Sequence, residues 1–289
     1  MIEDVLTDRN LPSFIIGGMQ KSGTTYIDSL LRRHPQIYMP PRTLEFSFFD
    51  DSRIYKNGVQ WYKSLFTDSK DGQVLGQTSA DCAFENLAPQ RLRDIVPNVK
   101  LIFILRHPVS RTHSHYWHQV KMGREHLSLL NALKEEPVRT EKSYYHQKKF
   151  SYVGRSRYKS LFENVFKYID QENVYIVPFE LFIKNEVNYL NEIFEFINVS
   201  TISSIEDLKE GDKNKRTNAA KTPSIWLRKI SPILNSNFIG KYIYRSLLTS
   251  KRPPQLKDKE RKFLEAELWD DVLFYNEINN NCRKNNSNS

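Results

Sequence analysis

Gly18-Met-Gln-Lys21-Ser22-Gly23-Thr24-Thr25 packs two glycines, a lysine and three hydroxyls into eight residues, directly after the apolar run Phe14-Ile-Ile-Gly. A glycine turn between a strand and a helix aims successive backbone N–H groups at one point. The helix N-terminus adds partial positive charge, so such a turn is an anion cradle. A lysine directly after the second glycine would reach the β- and γ-phosphates of a nucleoside triphosphate, with the next hydroxyl on Mg²⁺. Here Thr24 takes that position, and the lysine, Lys21, lies two residues before Gly23. The spacing suits a single 5′-phosphate in the turn, with Lys21 beside a group attached to it. A glycine turn ahead of an ordinary helix is the bland alternative.

The elements that position these residues are readable from periodicity. Pro12 to Gly18 reads as a short buried strand; Tyr26, Ile27, Leu30 and Leu31 recur at helical spacing, and His34-Pro35 ends that helix. A second strand spans Lys100 to Leu105, followed by Arg106-His-Pro108 and a helical stretch to about Lys121. A third covers Asn173 to Val177, and helices fit Ser156 to Ile169, the Val187–Ile197 stripe and Glu260 to Ile278. Buried apolar strands alternating with helices argue a parallel α/β sheet covered on both faces. Of His113, His115 and His118, only the last two share a helix face, with no carboxylate motif nearby, so no metal is expected.

Composition narrows the class. The 289 residues carry 43 basic and 34 acidic side chains, net +9, and the excess is local. Between Lys209 and Lys262 there are 15 Lys/Arg against four Asp/Glu, which suits an anionic ligand, a polyanion or simply a solvated basic surface. No run reaches the 18 or more apolar residues of a spanning helix, and the acidic N-terminus is unlike a signal peptide. Cys82 and Cys282 are the two cysteines, far apart, which excludes a disulfide scaffold and a Cys-based zinc site. A reducing, cytoplasmic setting is the expectation. Residues 1–278 read as a single domain, and 279–289, NNNCRKNNSNS, as a disordered Asn-rich tail.

Two segments together resemble the PAPS-dependent sulfotransferases, whose donor is 3′-phosphoadenylyl sulfate (PAPS). Gln20 to Thr25 is similar to the family's 5′-phosphosulfate loop, and Arg106-His-Pro-Val-Ser-Arg-Thr-His-Ser114 to its 3′-phosphate motif. The resemblance implies that Lys21, Ser22, Gly23, Thr24 and Thr25 hold the phosphosulfate, and Arg106 and Ser114 the 3′-phosphate. A guanidinium's planar donors suit phosphate oxygens. Glu45-Phe-Ser-Phe-Phe-Asp50, then Trp61-Tyr62, resembles the carbohydrate (heparan sulfate-type) branch and its bacterial relatives, where that glutamate is the base. Arg42 and His115 are the accompanying candidate acceptor contacts. Gly76-Gln-Thr-Ser-Ala80 is similar to that branch's G-E-K-[ST]-P segment, but Gln77 and Thr78 depart from it. Arg155-Ser-Arg-Tyr158 follows the family's order and puts Tyr158 among the donor contacts; Lys213 to Lys221 suggests a closing basic loop, with Lys215 and Lys221 on the donor. The resemblance covers roughly residues 12 to 182.

The fold it implies is a P-loop-type three-layer α/β/α arrangement with a central parallel sheet. The activity implied is transfer of a sulfuryl group from PAPS to a hydroxyl or amine. Lys21 and Glu45 are the catalytic pair, and a saccharide or small molecule is the acceptor. Neither a nucleic-acid partner nor a membrane span is expected, and a trimmed lumenal domain is the alternative to a cytoplasmic enzyme. Two other readings remain. A P-loop nucleotide kinase or NTPase would need the lysine that Thr24 replaces, and a non-catalytic polyanion-binding protein would bind in a steeply salt-dependent way.

Overall fold

The structure, a computed structural model, describes residues 10–42, 47–209 and 253–287. The chain divides into two compact units, residues 1–105 with 160–214 and residues 106–159 with 215–289. The strands are β1 (Phe14–Gly18), β2 (Ile37–Tyr38), β3 (Val74–Thr78), β4 (Lys100–Leu105) and β5 (Val174–Pro178). The helices up to the third strand's successor are α1 (Thr24–Leu31), α2 (Ser52–Tyr55), α3 (Gly58–Ser64) and α4 (Ala88–Ile95). After β4 come α5 (Pro108–Lys121), α6 (Leu129–Thr140), α7 (Tyr144–Phe150) and α8 (Tyr158–Phe166). The remainder are α9 (Phe179–Phe182), α10 (Glu186–Phe196), α11 (Asp258–Glu267) and α12 (Trp269–Ser287).

The first unit is a parallel sheet in the order β2-β3-β1-β4-β5. β1 lies at its centre and is buried at every position, as a strand covered on both faces must be. Successive side chains alternate between the faces. Phe14, Ile16, Ile102 and Ile104 pack with Ile27 and Leu31 of α1 and Leu190, Ile193 and Phe194 of α10. On the other face Phe103 meets Phe162 of α8, with ring centroids 4.9 Å apart. Helices on both faces of a parallel sheet give the three layers the sequence implied.

The second unit is helical among its described residues. Val109, Tyr116 and Val120 of α5, Leu129 and Leu133 of α6, Tyr152, and Leu264 of α11 form its core. No helix among the described residues is long and apolar enough to cross a membrane.

Several elements depart from expectation. β2 and β3 escaped the apolar-run criterion because β2 has two residues and β3 carries Gly76 and the buried, polar Gln77. The single terminal helix expected over Glu260 to Ile278 is two, α11 and α12, broken at Leu268. The Asn-rich stretch read as disordered is helical to Ser287. Asparagine is a middling helix former, but extending an existing helix adds one hydrogen bond per residue without a new nucleus.

Candidate active site

In the first unit the turn between β1 and α1 is set by backbone. The Met19 N–H donates to Ile104 O of β4 at 3.0 Å, fixing where the chain leaves the sheet. The Ser22 N–H donates back to Met19 O at 3.0 Å, closing the turn. Lys21 and Gly23 have positive φ, 73° and 99°. At Gly23 a side chain is excluded twice: by that φ, and because a Cβ would lie 2.6 Å from the Phe179 ring. Thr24 and Thr25 open α1, so their amides belong to the first turn, which has no intrahelical acceptors. Ser22 is fully buried, and its hydroxyl has no hydrogen-bond partner among the described residues. An orphaned buried hydroxyl beside first-turn amides fits a phosphate or phosphosulfate oxygen. Lys21 is half-buried on the same turn.

Next to this turn, Asp28 of α1 gathers three donors. Thr78 Oγ1 donates to Oδ1 at 2.7 Å, and Arg32 Nε and Arg42 Nε to Oδ2 at 2.9 and 2.6 Å. Arg42 Nη2 also reaches Thr25 O at 3.4 Å, so this candidate acceptor contact is pinned beside the turn. Thr78, standing where a lysine was looked for, faces the same carboxylate.

In the second unit the frame is made of side chains. Arg106 directly follows β4 and is half-buried; its carbonyl accepts from Tyr158 Oη at 2.8 Å. Arg111 of α5 is fully buried: Nε donates to Ser156 Oγ at 2.5 Å and Nη2 to Tyr152 O. Burial lowers its pKa to about 10, which still leaves it charged at neutral pH. Thr112 Oγ1 bonds both Tyr152 O, at 3.2 Å, and Ser156 Oγ, at 2.8 Å. Glu136 of α6 accepts the Val153 and Gly154 N–H groups, each at 2.8 Å.

Several assigned residues need restating. Tyr158 was read as touching the donor; it is fully buried and its hydroxyl serves the Arg106 backbone instead. His115 was read as an acceptor contact; it is fully buried, edge-on to Tyr152 with centroids 5.0 Å apart and 3.2 Å from Gln119 Nε2. The helical phase of α5 turns position 115 inward with Arg111, Thr112 and Tyr116, while Ser114 stays half-buried. His113 accepts from Trp117 Nε1 at 2.8 Å, and burial lowers its pKa to about 4, so it is neutral. Glu45, Lys215 and Lys221 lie outside the described residues.

A family model described as a sulfotransferase domain matches residues 11–253, most of the chain. The chain belongs to the sulfotransferase family. It is 36% identical over 110 residues to Homo sapiens heparan sulfate glucosamine 3-O-sulfotransferase 6, covering 37% of this chain and 30% of that one. It is 27% identical over 191 residues to Mus musculus heparan sulfate glucosamine 3-O-sulfotransferase 5, covering 66% of this chain and 54% of that one. The matched stretch thus spans between 30% and 54% of those relatives' length. Among solved structures, a sulfotransferase from Alicyclobacillus acidocaldarius matches 80% of this chain and 99% of its own, with TM-score 0.60 at 24% identity, a likeness of fold.

Sequence reasoning about this sulfotransferase missed Asp28, Arg111, Glu136 and Phe179. One signal was available for Glu136. Leu129, Ala132, Leu133 and Glu136 occupy the buried i, i+3, i+4, i+7 phase of α6, and a carboxylate in that phase needs partners. Phe179 gave none, since its pairing with Gly23 exists only in the fold.

Proposed function

We propose that the chain transfers a sulfuryl group from PAPS to a hydroxyl or amine of a carbohydrate acceptor, as one catalytic domain over residues 1–278. The observation that carries this reading is the turn between β1 and α1: an N-terminal helix turn, a fully buried hydroxyl without a partner among the described residues, and a displaced lysine. These are donors for an anion, and the absence of a lysine after Gly23 disfavours a triphosphate. The carbohydrate acceptor is supported by the likeness to heparan sulfate sulfotransferases and by the Glu45 segment.

The chemistry is an in-line displacement. The acceptor oxygen or nitrogen bonds to sulfur as the bond from sulfur to the bridging oxygen breaks, and the electron pair leaves with 3′,5′-bisphosphoadenosine. The acceptor proton passes to Glu45. Lys21 and the turn's amides offset the charge growing on the bridging oxygen, where one preorganised donor contributes about 3–4 kcal/mol. Arg106 and Ser114 hold the 3′-phosphate, and Lys215 and Lys221 add cations over the donor.

Thermal shifts test the reading. Saturating 3′,5′-bisphosphoadenosine should stabilise the protein by about 3 kcal/mol at a hundredfold excess over Kd, and ATP with Mg²⁺ far less. With labelled PAPS and a saccharide panel, Lys21→Ala should lower kcat more than it raises the PAPS KM. A protein that responds to ATP–Mg²⁺ and not to the bisphosphate is not a sulfotransferase of this kind.

A further inference from the structure

We propose that Glu136 is a positioning residue for the donor's 3′-phosphate: its carboxylate holds the Val153–Gly154 turn, and that turn sets the place of Arg106 and of the first turn of α5. The inference rests on the assignment of Arg106 to the 3′-phosphate made above.

The connection is a chain of hydrogen bonds within the second unit. Both oxygens of the buried Glu136 carboxylate accept from the turn, one from Val153 and one from Gly154. The residues flanking that turn then reach back to the start of α5 at four points. Tyr158 Oη donates to Arg106 O, and Ser156 Oγ to Pro108 O at 3.2 Å. Ser156 Oγ also accepts from Arg111, and Tyr152 O accepts from Arg111 and Thr112. Arg106 is therefore held through its own carbonyl, so a shift of the turn moves the backbone from which its guanidinium projects.

The charged group that acts directly on the carboxylate is Arg111, and further charges lie beyond it. Arg111 faces it from α5; Arg155, Tyr158 and Arg106 face Arg111 in turn; and beyond Tyr152 lies the Glu125–Arg139 pair at 2.6 Å. Burial pushes the Glu136 carboxyl up to about 7, against the pull of its two amide bonds and of Arg111. Arg111 keeps its charge throughout this range.

The position of that titration has two consequences of opposite sign. Above about 7 both oxygens accept, and the turn is held twice. Below it, one oxygen carries a hydrogen that confronts an amide N–H, and one bond is weakened. Order at Arg106, and with it the grip on a 3′-phosphate, falls as the pH drops. Global stability runs the other way. A carboxyl raised from 4.5 to about 7 gives stability that is complete below 4.5 and lost as the pH rises through 7. A carboxylate that merely stabilised the unit would make affinity follow stability.

The experiment measures Kd for 3′,5′-bisphosphoadenosine and for adenosine 5′-phosphosulfate, which lacks the 3′-phosphate, from pH 8 down to pH 5.5. Wild type, Glu136→Gln and Tyr158→Phe are compared as full chains. The free 3′-phosphate takes up a proton near pH 6, a contribution common to every protein compared. The difference between wild type and variant is therefore diagnostic. Glu136→Gln places an amide N–H₂ against a backbone N–H, so preference for the 3′-phosphorylated ligand should fall about tenfold at pH 8. The gap should close towards pH 5.5. Tyr158→Phe should lower the same preference several-fold while keeping the wild-type pH dependence. A folded Glu136→Gln protein with wild-type preference and pH profile overturns the proposal. If that variant does not fold, unchanged preference in Tyr158→Phe overturns it instead. A wild type without any preference for the 3′-phosphate removes the Arg106 assignment, and this inference with it, whereas preference retained in the variants removes this inference alone.

Discussion

The turn of the first unit and the Arg106 segment of the second place polar groups by opposite means. The turn uses backbone: positive φ at Lys21 and Gly23, one amide fixed to β4, a glycine under an aromatic ring, and a hydroxyl without a partner among the described residues. The Arg106 segment uses side chains: Arg111, Glu136 and Arg155 are all buried, and the first two cross-link residues far apart in sequence. A backbone cradle is intolerant of added volume, because its geometry is already fully committed. A frame of buried charges is intolerant of a lost partner, because the remaining charge stays out of water.

The sharpest way to break this contrast is Arg111→Ala. It removes the cation opposite Glu136 and the donors to Ser156 and Tyr152 O. The expected loss is about 3–5 kcal/mol in urea denaturation at pH 8, where Glu136 is ionised. Arg111→Met with Glu136→Leu should recover only part of it: both charges go together, but the Val153 and Gly154 N–H groups lose their acceptors. A single-variant loss below about 1 kcal/mol would mean the charges are not truly out of water.

The matching test in the first unit adds volume. Gly23→Ala forces a φ near 99° on an L-residue and sets its Cβ against Phe179. Strain and overpacking together should cost about 2–3 kcal/mol. Phe179→Ala in the same chain relieves the collision and leaves the backbone strain, so the double variant should regain part of the loss relative to the sum of the singles. Strict additivity would show that the ring swings aside freely and that only φ matters.

The two regions also differ in how much the sequence disclosed. The turn was legible because its determinants are local: a strand of apolar residues, two glycines, a lysine and a helix in order. β1, β4 and α5 were placed within two residues and α1 within three for the same reason. The supporting frame was not legible. Arg111 sits inside the quoted Arg106–Ser114 motif, yet its partners are Tyr152 and Ser156, some forty residues later. His115 was assigned to a ligand by adjacency to Ser114 and Tyr158 by the family's motif order, whereas helical phase buries the first and the hydroxyl of the second donates to the Arg106 carbonyl. Linear adjacency says little about which way a helical side chain points.

Ser22→Ala is the smallest change and separates two accounts of the turn by sign. The Ser22 hydroxyl is buried with no partner among the described residues, and a polar group in that state costs free energy in the unliganded protein. Replacing it by a methyl should therefore raise the unfolding free energy by up to about 1 kcal/mol, visible as a higher Tm. If the hydroxyl waits for an anion, the same change should weaken 3′,5′-bisphosphoadenosine by about tenfold, the worth of one hydrogen bond to a charged group. Stability up and affinity down is the signature of a group kept for a ligand. Stability up with affinity unchanged would make Ser22 a tolerated core residue and leave the anion to the backbone amides alone. A fall in stability would show that the hydroxyl is bonded within the protein, and the turn would lose the feature that most distinguishes it from an ordinary glycine turn.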